Sequence, residues 1–370
     1  MSVSVSKVMH VVDSLEVGGT ETVAVNIANS LPRDRYRVYL CSTRRSGPLA
    51  AALQSDVNHL SLNRRGRLDL AAIVRLWKFI AHEDIQLLHV HSTSLFIARL
   101  ISFAPYAVPV RLIWHDHYGR CELNDRSAGL YRLATAGAAG VIAVNHQLVT
   151  WACRELHVSP KRVWYVPNFV QPSESRSAPQ RDLPGSAGSR IACVANLRPQ
   201  KDHFTLIRAM AAVRKNHPQA HLLLIGAPVD PNYTARVRQE VTALQLENAV
   251  TFLGQVSGVG SILAQCDLGV LSSASEGLPL SLLEYGWAGL PSVATSVGQC
   301  PEVLDHGKAG ILVNPGSPDE LAESLSSLLE SPQRRAEYGR TLGAFVRKTF
   351  DPQVIMDQIC RIYDLVLSSN

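Results

Sequence analysis

The chain has 370 residues, 46% of them apolar and 18% charged, with a formal net charge of +5. That length allows two or three domains with a core in each, and the composition excludes a disordered or fibrous protein. Seven cysteines, an odd number without a C-x-x-C pair, exclude a disulfide framework and a zinc ribbon and point to reduced thiols in the cytoplasm.

In chain order, short apolar runs alternate with helical patterns. KVMHVV is the first predicted strand. A helix over 20–31, the strand RVYLCS, a helix over 68–82, the strand IQLLHVH and a helix over 93–103 follow. Then come VRLIWH, a helix over 127–137, GVIAVN, a helix over 146–156 and VWYVPN. Such alternation predicts a parallel sheet with helices on both faces. Residues 170–189 lose hydrophobic periodicity and fill with Pro, Ser and Gly, as a linker does. The rhythm restarts with RIACVANL, a helix over 203–216, AHLLLIG, a helix over 232–245, AVTFLG and a short helix over 258–265. LGVLSS, a helix carrying Glu284, PSVATS, ILVN and helices from 318 onward complete it. The expected organisation is α/β, with doubly wound domains over 1–169 and 190–352 joined by the linker, and a last helix over 353–370 that crosses back to the first domain. Two such domains enclose a cleft at the carboxyl ends of their strands, where these sheets bind ligands.

The charge is uneven, with 19 Lys and Arg against 12 Asp and Glu in residues 1–170 and 17 against 19 in the rest. The excess gathers in Arg33, Arg35, Arg37, Arg44, Arg45, Arg64, Arg65 and Arg67, ahead of the amphipathic pattern LDLAAIVRLWKFIA. A basic patch beside such a helix can hold a protein on anionic lipid at about 1 kcal/mol per basic residue. It is equally the solvated face of an ordinary packing helix. No aromatic residues interleave with the charge, which argues against a nucleic-acid partner. No basic-then-apolar leader opens the chain and no uncharged apolar stretch reaches about 18 residues, so neither a signal peptide nor a membrane span is expected.

SSASEGLPLSLLEYGWAGLP is the most informative stretch. Glu284 is the only charged residue between Glu276 and Glu302. Burying even a neutral polar group without a hydrogen bond costs roughly 2–7 kcal/mol, so this carboxylate needs a partner that its sequence neighbours do not offer. Glu276 falls in the loop at the carboxyl end of LGVLSS, and Gly277 and Pro279 shape the turn into a helix, with Pro expected at the first helical position. The N–H groups of Leu280, Ser281 and Leu282 then make an anion site suited to a diphosphate. Glu284 can accept hydrogen bonds from a ribose diol and Glu276 from sugar hydroxyls. The plainer alternative makes Glu276 a complement to the helix dipole and gives Glu284 a buried protein donor.

This stretch resembles the signature of retaining GT-B glycosyltransferases of family 4, two glutamates with seven residues between them in a frame like E-G-x-P-x-x-x-x-E. ATSVGQCPEVLDHGKAGILVNPGSPDELAESL extends the likeness, with Gln299 where a second glycine is common. DSLEVGGTE is similar to the family's first glycine loop, which implies that the main-chain N–H groups of Gly18 and Gly19 approach the donor phosphates; glycine permits that approach without a Cβ. ANLRPQKDHFTLI resembles the basic loop G-R-L-x-x-x-K. Lys201 matches the lysine, Asn196 stands where arginine is common, and Arg198 follows two residues later. His115 in LIWHDHYGR resembles the histidine that faces the donor sugar, and Asn168 in VPNFV resembles a crossover step, with Phe169 in place of the usual glycine.

The resemblance covers most of the chain and implies a GT-B protein of two Rossmann-like domains facing across a cleft. It implies transfer of a sugar from a nucleotide diphosphate sugar to a saccharide or lipid-linked acceptor, with retention and without a metal or other cofactor. His115, Lys201 and Glu276 become the expected catalytic residues. Gly18, Gly19, Asn196, Arg198, Gly277, Leu278, Pro279, Leu280, Ser281 and Glu284 become the expected donor-binding ones. The expected place is the cytoplasm, at the inner face of the cell membrane if the basic patch meets lipid. Three other readings stay open. Asn196 in the arginine position suits a catalytically silent carbohydrate- or partner-binding GT-B protein, and a related fold serves nucleotide sugar 2-epimerases. His117 with Asp116, or His89 with His91, could open a metal site, although no later strand-end His, Lys or Asp set in barrel order completes one.

Overall fold

The computed structural model describes residues 5–66, 69–101, 110–118, 126–171, 182–256 and 258–368. The linker positions 172–181 and Arg67 lie outside them. The chain forms two compact units, one built from residues 1–118, 122–169 and 352–370 and the other from Val170–Asp351.

The first unit contains the strands β1 (Ser6–Ser14), β2 (Tyr36–Arg45), β3 (Asn58–Ser61), β4 (Leu87–His91), β5 (Arg111–Asp116), β6 (Gly140–Ala143) and β7 (Val163–Tyr165). They form one sheet in the order β3-β2-β1-β4-β5-β6-β7, with every pairing parallel. Central β1 is buried from Val8 through Val12, as expected of a strand covered on both faces. Its helices are α1 (Gly19–Ser30), α2 (Leu70–Glu83), α3 (Leu95–Ile101), α4 (Ala128–Thr135) and α5 (His146–Arg154). Side-chain caps set the starts of α2 and α5. Asp69 and Asn145 accept hydrogen bonds from Ala72 N and Leu148 N at 3.0 and 2.7 Å, satisfying donors that a helix leaves unpaired.

Strand β3 falls outside the predicted elements. NHLS carries a single large apolar residue, too little for a hydrophobic signal, and it forms because β2 offers an open edge, with Tyr39 opposite Asn58. The basic run also divides. Arg33, Arg35 and Arg37 lie around the start of β2 and Arg44 and Arg45 at its other end. Arg33 pairs with Asp56 at 2.7 Å, Arg35 with Asp364 at 2.6 Å and Arg64 with Asp13 at 3.5 Å, so part of the excess is neutralised within the unit.

The second unit contains β8 (Arg190–Val194), β9 (His221–Ile225), β10 (Val250–Gly254), β11 (Leu268–Leu271), β12 (Ser292–Thr295) and β13 (Ile311–Val313). These form a parallel sheet in the order β10-β9-β8-β11-β12-β13. Its helices are α6 (His203–Asn216), α7 (Pro231–Ala243), α8 (Val259–Leu263), α9 (Leu280–Ala288), α10 (Cys300–Val303), α11 (Pro318–Leu329) and α12 (Pro332–Thr349). One core cluster joins Leu206, Met210, Leu222, Val270, Val293 and Leu325. The last helix, α13 (Pro352–Ser368), belongs to the first unit. Gln358 Nε2 donates to Tyr165 O at 2.7 Å and Tyr363 buries its ring there. Among the described residues no helix is long and apolar enough to cross a membrane.

Candidate active site

In each sheet the unit's first strand sits between neighbours whose connections run opposite ways: β1 between β2 and β4, and β8 between β9 and β11. Loops leaving the carboxyl ends diverge at such a switch point, and open parallel sheets bind ligands there.

In the second unit the loop after β8 and the loop after β11 are tied together. Gln200 Nε2 donates to Ser275 O and Ala274 N to Gln200 O, both at 2.9 Å. Ser272 Oγ bonds the carbonyls of Lys201 and Asp202 at 3.1 and 3.0 Å. This zipper brings Lys201 Nζ to 2.5 Å from Glu276 Oε1, where Ser273 Oγ also donates at 2.6 Å. The pair is largely buried, with side-chain exposures of 12% for Lys201 and 6% for Glu276. Glu276 is therefore held by a lysine and a serine rather than by a helix dipole alone.

Arg198 is exposed at the start of the short 3-10 turn Pro199–Lys201. Asn196 plays a structural part, since its Oδ1 accepts a 2.9 Å hydrogen bond from Ala227 N and so joins the loops after β8 and β9. The residue in the arginine position thus braces a neighbouring loop instead of supplying charge.

Helix α9 begins one residue later than predicted. Pro279 is its N-cap, with φ −76° and ψ 110°, rather than its first helical residue. Leu282 N donates to Pro279 O at 3.2 Å, so the N–H groups of Leu280 and Ser281, not all three, remain for an anion. Tyr285 anchors the helix: its hydroxyl accepts from Val194 N at 2.8 Å and lies 3.2 Å from the carbonyls of Ala192 and Val270. Gly286 admits Val346 of α12, since a Cβ there would lie 2.4 Å from Val346 Cγ2.

Glu284 is carried on this anchored helix. No described residue hydrogen-bonds or ion-pairs with its side chain, and burial pushes its carboxyl up to about 7. The plainer expectation of a buried protein donor is not met.

The loop after β12 supports the site from behind. Gln299 N donates to Gly277 O at 3.0 Å, and Gly298 has φ +54° with space for a Cβ only 2.0 Å from Glu276 O. Gly298→Ala is expected to push the Glu276–Gly277 backbone away, costing about 1–3 kcal/mol of stability and most of the activity. A thermal melt beside a transfer assay checks it. Leu278 and Pro279 are buried between these loops.

In the first unit, Gly18 is the N-cap of α1 in an extended conformation, φ −151°, that any residue can adopt. A Cβ there would meet only the flexible Glu21 carboxylate. The backbone itself therefore does not demand glycine at this position. Gly19 opens the helix, and Thr20 Oγ1 lies 3.4 Å from Ser92 Oγ, linking the first turn of α1 to the turn after β4. His115, near the end of β5, is 1% exposed. Its Nδ1 lies 3.0 Å from His89 Nε2, and its Nε2 is buried without a hydrogen-bond partner among the described residues. Burial holds this imidazole well below its usual range, so it is neutral. Asp116 is committed to Arg126, which grips it through two contacts of 2.6 and 3.0 Å, so the proposed pairing of Asp116 with His117 around a metal loses its carboxylate. Ser273, Ser272 and Gln200 escaped the sequence reading because no local pattern marks a residue that serves to hold another loop.

Two doubly wound units, each a parallel sheet whose loops diverge at a switch point, define an α/β protein of two Rossmann-like domains. Family models extend this: one described as Glycosyltransferase Family 4 matches residues 17–174, and one described as Glycosyl transferases group 1 matches residues 183–341. The chain belongs to the GT-B glycosyltransferases of family 4, group 1. It is 26% identical over 369 residues to N-acetyl-alpha-D-glucosaminyl L-malate synthase of Bacillus anthracis, covering 95% of each chain. It is 26% identical over 300 residues to a phosphatidyl-myo-inositol mannosyltransferase of Mycobacterium tuberculosis, covering 79% of this chain and 77% of that one. The fold is also that of Anabaena Alr3699/HepE, solved in complex with UDP and glucose, with a TM-score of 0.82, 23% identity, and coverage of 97% and 100% of the two chains.

Proposed function

We propose that the protein transfers a sugar from a nucleotide diphosphate sugar to a saccharide or lipid-linked acceptor, with retention at the anomeric carbon. The observation that carries this reading is the Lys201–Glu276 pair beside the α9 N-terminus, with an unpartnered Glu284 on the same helix. The N–H groups of Leu280 and Ser281 suit a diphosphate. Lys201 and exposed Arg198 offset the charge that grows on it as the glycosidic bond breaks, a role for which no metal is then required. Glu284 receives the ribose hydroxyls, and Glu276, steadied by Lys201 and Ser273, receives those of the sugar. Glu276 is occupied by these partners and is not placed as a nucleophile.

The step is therefore a front-face attack. The bond from the anomeric carbon to the phosphate oxygen breaks, the acceptor oxygen bonds to that carbon on the same face, and the acceptor proton passes to the leaving phosphate. By family likeness, Gly18 and Gly19 approach the phosphates and neutral His115 faces the sugar. One relative is named for a malate product and the other for phosphatidyl-myo-inositol, and the second name supports a lipid acceptor. Arg45 and Arg65, exposed at the end of β2 and ahead of α2, and Arg44, exposed beside Arg45 though 3.9 Å from Asp13, are the residues placed to meet an anionic headgroup.

A thermal-shift panel of nucleotide sugars identifies the donor, and proton NMR of the product then reads its anomeric configuration. The expected product keeps the donor's configuration. An inverted product would overturn retention while leaving the transferase class standing.

A further inference from the structure

Five histidines occupy one face of the first unit's sheet. His10 on β1 lies directly opposite His89 on β4, and His91 directly opposite His115 on β5. His91 and His117 follow His89 and His115 by two residues, the spacing that returns a side chain to the same face. Tyr363 of α13 reaches His89 and His10.

The ring nitrogens join head to tail. His115 Nδ1 meets His89 Nε2 at 3.0 Å, and His89 Nδ1 meets the Tyr363 hydroxyl at 2.5 Å. That hydroxyl reaches His10 Nε2 at 3.5 Å, and His10 Nδ1 meets His91 Nε2 at 3.1 Å. His91 Nδ1 meets His117 Nε2 at 3.0 Å. Only the two ends, His115 Nε2 and His117 Nδ1, are without a hydrogen bond among the described residues.

Burial pushes His10 and His117 down to about 3 and the other three well below their usual range, so each ring is neutral and carries one N–H. With the Tyr363 hydroxyl donating to one ring and accepting from the other, a chain of single donors joined Nδ1 to Nε2 can be satisfied in only two ways. Either all five rings are protonated on Nδ1 or all five on Nε2. The His117 end decides between them. The Asn168 side chain adjoins His117, and its buried Oδ1 lacks a donor. Neither that Oδ1 nor His117 Nδ1 has a hydrogen bond among the described residues, and a proton on His117 Nδ1 lets the two neighbours satisfy each other. The same sense, carried along the chain, leaves His115 Nε2 bare.

We propose that His10, His89, His91, His117 and Tyr363 form one tautomerically coupled relay that fixes His115 Nε2 as the hydrogen-bond acceptor for a hydroxyl of the bound sugar. The sugar contact rests on the function proposed above, whereas the relay does not. The other four histidines and Tyr363 are positioning residues that act through His115.

Two triads, His10–His89–His91 and His91–His115–His117, also bring ligand atoms within 4.8 Å of one another. A divalent ion there would break ring-to-ring bonds already made. Among the described residues neither triad includes a carboxylate to offset the ion's charge, and neighbouring Asp116 is held by Arg126.

Imidazole nitrogen NMR of the full-length, 15N-histidine-labelled protein at neutral pH tests the relay. The expected spectrum has all five rings in the Nδ1–H form. Tyr363→Phe keeps the ring and removes the link, so His89 and His115 are expected to turn to Nε2–H while His10, His91 and His117 keep Nδ1–H. Asn168→Leu removes the anchor, and Nε2–H signals are then expected from all five rings. In a transfer assay Tyr363→Phe lowers kcat/KM roughly tenfold, the scale of one hydrogen bond lost in a buried site.

Mixed tautomers across the wild-type rings would overturn the relay. So would an imidazolium at neutral pH, or unchanged tautomers in a variant that melts as the wild type does. Stoichiometric zinc uptake that removes the ring N–H signals would replace the relay with a metal site. If the tautomers follow the expected pattern but no nucleotide sugar is turned over, the relay stands and the proposed function falls.

Discussion

Lys201→Met is expected to slow sugar transfer by roughly 10²–10³-fold, the usual cost of losing one group that stabilises charge in the transition state. The methionine keeps the aliphatic stem and removes only the ammonium. The substitution also leaves Glu276, 6% exposed, without the cation 2.5 Å away, and breaking one side of a buried pair costs about 3–5 kcal/mol. Two measurements separate these effects. Urea unfolding reports the stability loss, and transfer at saturating donor reports the catalytic one. Adding Glu276→Gln to Lys201→Met is expected to restore part of the stability, since no buried charge is stranded, and none of the rate. A double variant with recovered transfer would show the pair to be structural only.

Glu284→Gln is expected to make the unliganded protein more stable and the enzyme worse. The folded chain holds the Glu284 proton more tightly than the unfolded chain, with the carboxyl raised from 4.5 to about 7 by burial. Stability is therefore lost as pH rises through that interval. It is unaffected below about pH 4 and lower by about 3 kcal/mol above pH 8. Glutamine carries no such cost, so the two proteins should unfold alike near pH 4 and diverge toward pH 8, with the variant ahead. Donor affinity should move the other way and weaken roughly tenfold or more, because a neutral amide accepts ribose hydroxyls less strongly than a carboxylate. Hydroxyl donors favour the charged form, so donor binding near pH 6.5 should also release protons, visible as buffer-dependent heats in calorimetry. Equal stability at pH 8 together with unchanged affinity would remove Glu284 from the site.

Much of this was legible in the sequence because it depends on local pattern. Apolar runs of strand length alternating with helical segments mark the doubly wound α/β class, and the helix over 203–216 is found with those limits. The isolation of Glu284 in an apolar stretch anticipates its lack of a protein partner. Features that depend on which strands are neighbours were hidden. Lys201 and Glu276 are 75 residues apart and meet only because β11 lies beside β8, although β9 and β10 intervene in the chain. The work of Asn196 shows only when the loop after β9 lies beside it. His89 with His91 and His115 with His117 show the period of two, but His10 and Tyr363 join them through strand order and a helix from the far end of the chain. Strand β3 was missed because its residues pair by edge geometry rather than by hydrophobicity.

The most direct measurement is release of nucleotide diphosphate from a panel of nucleotide sugars, with saccharide and lipid-linked acceptors present, followed alongside product formation. For one donor, release is expected to keep step with glycosylated product and to depend on Lys201 and Glu276. A protein that binds a nucleotide sugar yet yields neither free nucleotide nor product with any acceptor would contradict the assignment and mark this chain as a silent member of its family.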